Sequence, residues 1–194
     1  VDVHEPDHDF VKCEDPTIVF SGVMNYDPNA DAALRLAREI LPYIRERISN
    51  AALQIVGAEP IRCVQGLAQL PGVNVTGTVP VLREYIERGH LFISPIRVGS
   101  GLKNKILQAM ACRVPVVASP ISMEGIDAVA GRDYLSAESN EDFVRSAVLL
   151  LLESRELADE VALNGYSFVK QNYQWSTQAQ KLEQILLSLM ESKQ

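Results

Sequence analysis

The sequence holds only three cysteines in 194 residues. Cys13, Cys63 and Cys112 stand far apart and form no C-x-x-C pair. That excludes a disulfide framework and a structural zinc site, and it suits a reducing cytoplasmic setting. No apolar run is long enough to span a bilayer, and the acidic start is no signal peptide. Positive charge is also scarce. Eighteen Lys and Arg face 25 Asp and Glu, for a net charge of −7. Proteins that grip a nucleic-acid backbone are usually basic, so nucleic acid is not an expected partner. A small phosphate ligand is still allowed, because only the local field matters there. Several nucleotide motifs are missing too. There is no G-x-x-x-x-G-K-[ST] loop, and the dinucleotide fingerprint fails at its third glycine, where Asn104 stands. Only Glu59 comes near the acid of that fingerprint. No cluster of acids closes the strands, as a phosphoryl-accepting domain would need.

What is present is the composition of a soluble globular domain, with 47% hydrophobic and 22% charged residues. Residues 1–15 are acidic and aperiodic and read as a linker. His4 and His8 share a metal-ligating spacing, but Pro6 opposes the helix it would need. From residue 16 onward, short apolar runs alternate with helical patterns. Strands are expected at 17–22, 52–57, 73–77, 90–95, 114–119 and 132–137. Helices are expected at 29–48, 60–70, 81–89, 102–112, 140–153, 155–171 and 176–192. Asn29 or Asp31 is the expected cap of the first helix. Continuous apolar strands separated by helices predict a doubly wound α/β fold with a parallel sheet covered on both faces. Such sheets bind ligands beyond the carboxyl ends of their strands.

The stretch "RVGSGLKNKILQAMA" (97–111) sits at such a place, after the fourth strand and opening a helix. Gly99 and Gly101 allow close backbone approach and positive φ. The free amides of the helix start then point at an anion. Arg97 and Lys105 add two cations. Helical spacing puts Gly101, Lys105, Gln108 and Cys112 on one stripe. Leu102, Ile106, Ala109 and Met110 form the adjacent apolar stripe. Lys105 and Gln108 are therefore expected to face a ligand, with the apolar set on the sheet.

"PIRVGSGLKNKILQAMACRVPVVAS" resembles the signature of retaining, glycogen-synthase-like GT-B glycosyltransferases of group 1, nearest to bacterial exopolysaccharide sugar transferases. The shared pattern is R-x-G-x-G-x-x-x-K-x-L-E-A-M-A, then a "PVV" strand and an "EG" turn, here Glu124-Gly125. "FSGVMNYDPNADAA", "LQIVGAEP", "VNVTGTVPVLREYI" and "NYQW" are similar to further elements of that family, in the same order. The resemblance covers residues 16–194. It implies a Rossmann-like domain that binds a nucleotide-sugar donor such as a UDP- or GDP-sugar, with no metal. The expected whole enzyme has a second, N-terminal acceptor domain, and residues 1–15 resemble the segment joining the two. The chain does not begin with Met, which fits a donor half alone, inactive without its partner domain. Peripheral membrane association is expected only of the full-length protein.

By this resemblance Arg97 and Lys105 stabilise the leaving diphosphate. Gln108 stands where many relatives carry the Glu that accepts from the ribose, and Ser100 stands where some carry a first Glu. An amide oxygen still accepts, but without charge. Gly22 and Gly57 are either ligand-side glycines or plain turns. Val79 either offers backbone to the base or is a core valine. Glu124 either holds sugar hydroxyls or caps a helix, with Gly125 beside it. Tyr26 and Asn29 lie near the first-strand turn, and capping is the safer role for Asn29. Trp175 is expected to pack rather than to stack on a base. Two alternatives stay open: a non-catalytic nucleotide-sugar module, and a sugar-nucleotide epimerase of the same architecture.

Overall fold

The computed structural model of the chain describes residues 11–191. His4 and His8 lie outside that range, and among the described residues no group of metal-ligating side chains gathers. Residues 12 and 13 rest on the domain. Lys12 Nζ donates to the Gly89 carbonyl at 2.6 Å, and the Cys13 amide donates to that of Arg88 at 2.9 Å. All three cysteines are free thiols.

Six parallel strands form one sheet in the order β3-β2-β1-β4-β5-β6. They are β1 (Thr17–Ser21), β2 (Ala52–Val56), β3 (Val73–Val75), β4 (Leu91–Ser94), β5 (Val116–Ala118) and β6 (Leu135–Ser136). β1 pairs with β2 from Thr17↔Ala52 to Ser21↔Val56, and with β4 on its other side. The chain order therefore reverses between β1 and β4, which is the switch point where ligands enter such sheets. Alternation along β1 shows why the middle of the run "TIVFS" is apolar without a break. Ile18 and Phe20 belong to one buried cluster and Val19 to another, on the opposite face of the sheet. Both faces are covered, so Ile18, Val19 and Phe20 are all buried and apolar.

The connections are helical. α1 (Asp27–Arg35) continues through a π segment (Leu36–Ile40) into α2 (Leu41–Arg47). Pro42 explains the widened turn, since its ring cannot sit below the carbonyl four residues back in a regular helix. The expected caps of this helix are both corrected. The N-cap is Tyr26, and Asp27 and Pro28 fill the first turn, so Asn29 and Asp31 lie inside the helix. α3 (Arg62–Gln65), α4 (Leu82–Arg88) and α5 (Asn104–Ala111) follow their strands. Leu102 precedes α5 and is 46% exposed, so it does not join the core stripe with Ile106, Ala109 and Met110. α6 (Asn140–Val148) opens with a capping box between Ser139 and Asp142 and ends in a π segment (Leu149–Glu153). α7 (Arg155–Asn172) and α8 (Trp175–Glu191) complete the described chain.

Gly57 ties the ends of β1 and β2 together. A Cβ on it would sit 1.7 Å from the Gly22 carbonyl oxygen. No larger residue fits there.

Candidate functional site

The switch point between β1 and β4 holds a cavity of about 270 Å³. Gly22, Val23, Tyr26 and Asn29 line it from the β1 side. Gly99, Ser100, Lys103 and Lys105 line it from the β4 exit and α5. Two lysines and no carboxylate face this space, in a chain whose net charge is −7. The loop above α5 takes positive φ at Gly99 (138°) and Gly101 (79°). No side chain caps α5, whose N-cap is Lys103, and its first turn carries no acid. Its leading amides are therefore available to an anion.

Lys105 is the most constrained cation of the corner. Its ammonium donates to Asn29 Oδ1 and stands 4.7 Å above the Phe20 ring. Burial, with a smaller push from Lys103, lowers its pKa to about 7. Gly22 is required here. A Cβ on it would lie 2.6 Å from Asn29 Nδ2 and 2.9 Å from Lys105 Nζ. Lys103 donates to the Gly101 carbonyl at 2.6 Å and stands 3.8 Å from Glu124.

Arg97 lies beside this cavity rather than in its wall. Its guanidinium is half exposed and reaches both Asp31 oxygens, at 3.2 and 3.3 Å. The Asp31 hydrogen bond holds its pKa above the ordinary arginine value. Asp31 holds Nε and Nη2, so a phosphate competes with it for that edge of Arg97.

The loop is anchored from below. Arg35 is buried and donates to the Pro95 carbonyl at 3.0 Å, the Glu138 carbonyl at 2.9 Å and Asn140 Oδ1 at 2.7 Å. Ser119 Oγ donates to the Ile96 carbonyl at 2.5 Å, and Ser122 Oγ to that of Ser94 at 2.8 Å. These serines join the exits of β4 and β5. They place the 3₁₀ turn Pro120–Met123 and the Glu124–Gly125 pair after it. The Glu124 carboxylate caps no helix; it faces Lys103. Gly125 has φ 79°, and its carbonyl accepts from the Tyr173 hydroxyl at 3.3 Å.

Gln108 is exposed, but it does not face the same cavity as Lys105. It lines a second, larger space of about 700 Å³ with Arg83, Leu107, Cys112, Tyr173 and Trp175. Burial and the neighbouring Glu87 raise the Cys112 thiol to about 12, so it is inert there. Leu102 and Asn104 border both spaces, so the two adjoin across the start of α5. Trp175 is 67% exposed on this wall, which corrects its expected packing role. Val79 is partly buried against the second core cluster, its core-valine reading.

The comparisons with known proteins fit this geometry. The family model "Glycosyl transferases group 1" matches residues 15–154. The chain belongs to the group 1 glycosyltransferases. It is 29% identical over 168 residues to a GDP-mannose-dependent alpha-(1-6)-phosphatidylinositol monomannoside mannosyltransferase of Mycolicibacterium smegmatis. That match covers 79% of this chain and 44% of the relative. An uncharacterized glycosyltransferase of Methanocaldococcus jannaschii is 27% identical over 124 residues, covering 61% of this chain and 31% of that one. The chain thus spans less than half the length of these curated relatives. Among solved structures, TarM superposes with a TM-score of 0.76 at 17% identity, covering 94% of this chain and 37% of TarM. HepE of Anabaena, solved with UDP and glucose, gives a TM-score of 0.72 at 13% identity, covering 90% of this chain and 48% of HepE. These structural likenesses show that this group 1 chain has the Rossmann-like fold of the GT-B enzymes.

Proposed function

We propose that this chain is the donor-binding part of a retaining glycosyltransferase. It takes a nucleotide-sugar such as a UDP- or GDP-sugar and serves polysaccharide or glycolipid synthesis in the cytoplasm, without a metal ion. The observation that carries the reading is the carboxylate-free cavity at the β1/β4 switch point, with Lys103 and Lys105 in its wall and the uncapped start of α5 beside it. That chemistry suits a diphosphate. The adjoining space beside Gln108 suits the nucleoside. Its volume lies within the ordinary range of ligand pockets.

In this reading the sugar–phosphate bond breaks as negative charge grows on the departing diphosphate. Lys105 and the α5 amides meet that charge in place, and Arg97 joins when it leaves Asp31. Gln108 Oε1 accepts from a ribose hydroxyl. Glu124, held near Lys103, is placed for sugar hydroxyls. The acceptor is bound by the other half of the enzyme, which agrees with the greater length of the relatives.

Isothermal titration of the chain with UDP, GDP and ADP, and with their sugars, tests the site. Binding of at least one nucleoside diphosphate without sugar transfer is the expected result. Binding by none of them removes the donor-site reading. Transfer by this chain alone removes the need for a second half.

A further inference from the structure

We propose that Asn29 is a positioning residue that seats Lys105 without neutralising it, so that binding of a diphosphate diester draws a proton from solvent onto Lys105 Nζ. This rests on the donor-site reading above and adds to it a role for Asn29 and a proton in the binding equilibrium.

Asn29 is buried in the first turn of α1. Its amide works at both ends. Nδ2 donates to the Val23 carbonyl at 2.9 Å, and Oδ1 accepts from Lys105 Nζ. The first bond fixes the amide to the β1 exit, so the second holds the lysine at a set place. Gly22 leaves room for both side chains and for nothing larger. The geometry therefore spends a buried side chain on aiming Lys105.

The partner chosen for this task is neutral. A buried ammonium is ordinarily paired with a carboxylate, because desolvation penalises the lone charge. Here the surrounding elements offer none. β1 presents the Phe20 ring and Gly22. From α1 come Asn29 and, at its cap, Tyr26. The carboxylate of Asp31 is taken by Arg97 from the β4 exit. α5 and its cap present Lys103, a like charge, whose nearest acid is Glu124. Glu59 accepts from Asn25. The Phe20 ring face favours the ammonium, but burial and Lys103 oppose it and prevail, leaving a midpoint of about 7.

A diphosphate diester entering the cavity supplies the missing negative charge. It stabilises the charged form of Lys105, and the proton comes from bulk solvent. The neutral amide thus keeps the whole charge of the lysine for the ligand. A carboxylate at position 29 would have charged the lysine in advance and then repelled the phosphate.

UDP-glucose and GDP-mannose are suitable probes, because a diphosphate diester has no proton of its own to exchange near neutrality. Titration calorimetry in buffers of different ionisation enthalpy counts the protons taken up. With a midpoint of about 7, uptake should approach one proton at pH 8 and be small at pH 6. Affinity should be about tenfold weaker at pH 8 than at pH 6. Asn29→Asp should abolish the uptake and flatten the pH dependence while weakening binding at both pH values. Lys105→Arg, which stays charged, should bind without uptake. Without ligand, an NMR titration of the Lys105 side chain should show a midpoint near neutrality in the parent and a higher one in Asn29→Asp. Tight binding with no proton uptake at pH 8 overturns the proposal but leaves the donor site standing. So does a ligand-free midpoint at the ordinary lysine value. No binding of either probe at pH 6, where Lys105 is charged, overturns the donor-site reading and this proposal with it.

Discussion

The β1/β4 corner and helix α8 both show solvent what a folded chain usually hides, but they are backed differently. At the corner, the exposed loop rests on buried anchors. Arg35 holds Pro95, Ser119 and Ser122 after β5 hold Ile96 and Ser94, and Asn29 holds Lys105. Along α8 the exposed groups include large apolar ones: Leu182, Ile185 and Leu187 are each more than half exposed. An exposed group over a rigid base is a site, because its position is already fixed and only the ligand is lacking. An exposed apolar helix face is a surface, and its position depends on what covers it.

The largest effect should come from disturbing the base of the corner. In Gly57→Ala the new Cβ meets the Gly22 carbonyl at 1.7 Å, and backbone has to move at the ends of two central strands. Strain of that kind costs more than about 3 kcal/mol. For a chain of this size the thermal midpoint should fall by roughly 10 °C. A midpoint within about 2 °C of the parent would show that the corner tolerates movement and is not a rigid base.

Next in size is the cation seated there. Lys105→Ala should weaken nucleoside diphosphate binding by about ten- to a hundredfold, the worth of a charged hydrogen bond, with the fold kept. The same lysine should leave a mark on stability against pH. Its folded pKa is lowered to about 7, below the ordinary lysine value of 10.5. Between those values the unfolded chain binds the proton and the folded chain does not, so this group makes stability rise with pH across that window. Below pH 7 both states are charged and the buried ammonium counts against folding. Chemical denaturation at pH 6.5 and pH 9 should show this difference in the parent, and it should shrink in Lys105→Ala. An equal pH dependence in both would mean that Lys105 is charged and hydrated in the free protein.

Arg97 should matter less, because half of it is in water and Asp31 already holds it. Arg97→Ala should cost about tenfold in diphosphate affinity. Asp31→Asn releases the guanidinium and should tighten binding by about two- to fivefold, since an exposed ion pair of this kind is worth about 0.2–1 kcal/mol. If Asp31→Asn weakens binding instead, the Asp31 bond positions Arg97 rather than competing for it.

The sheet was legible because parallel strands covered on both faces are written as consecutive apolar residues, as in the "IVF" of β1 and the "LFI" of β4. The glycine loop was legible because positive φ at Gly99 and Gly101 leaves few other residues possible. Periodicity misplaced Leu102, since a 3.6-residue stripe extends backwards past the helix start without any sign of where hydrogen bonding begins. Local chemistry made Asn29 a cap, the usual duty of that residue near a helix start. The partner of its side-chain oxygen is 76 positions away, and that of Arg97 is 66 away. A long-range pair of polar side chains leaves no periodic trace, so the sequence pointed to the cations of the site but not to what holds them. Helical spacing also put Lys105 and Gln108 on one stripe, yet they border different spaces. Three positions along a helix are enough to reach from one side of the Leu102–Asn104 loop to the other.

The smallest effect on stability should be found on α8, and it sharpens the comparison most. Leu182 and Ile185 are one helical turn apart and are 58% and 56% exposed. Such a pair forms a narrow apolar stripe on one face of the helix. Both side chains are more than half exposed, so replacing both with Lys should change stability by less than about 1 kcal/mol in total. The thermal midpoint should then move by no more than about 4 °C. Association should change more than stability. An exposed apolar stripe finds its relief against another copy at high concentration. Sedimentation over a concentration series should show self-association in the parent and less of it in Leu182→Lys/Ile185→Lys. A parent that stays monomeric throughout, with amide exchange in α8 as slow as in β1 and β4, would mean that the helix is fully housed within one domain. The contrast between an anchored corner and an uncovered helix would then be wrong on the side of the helix.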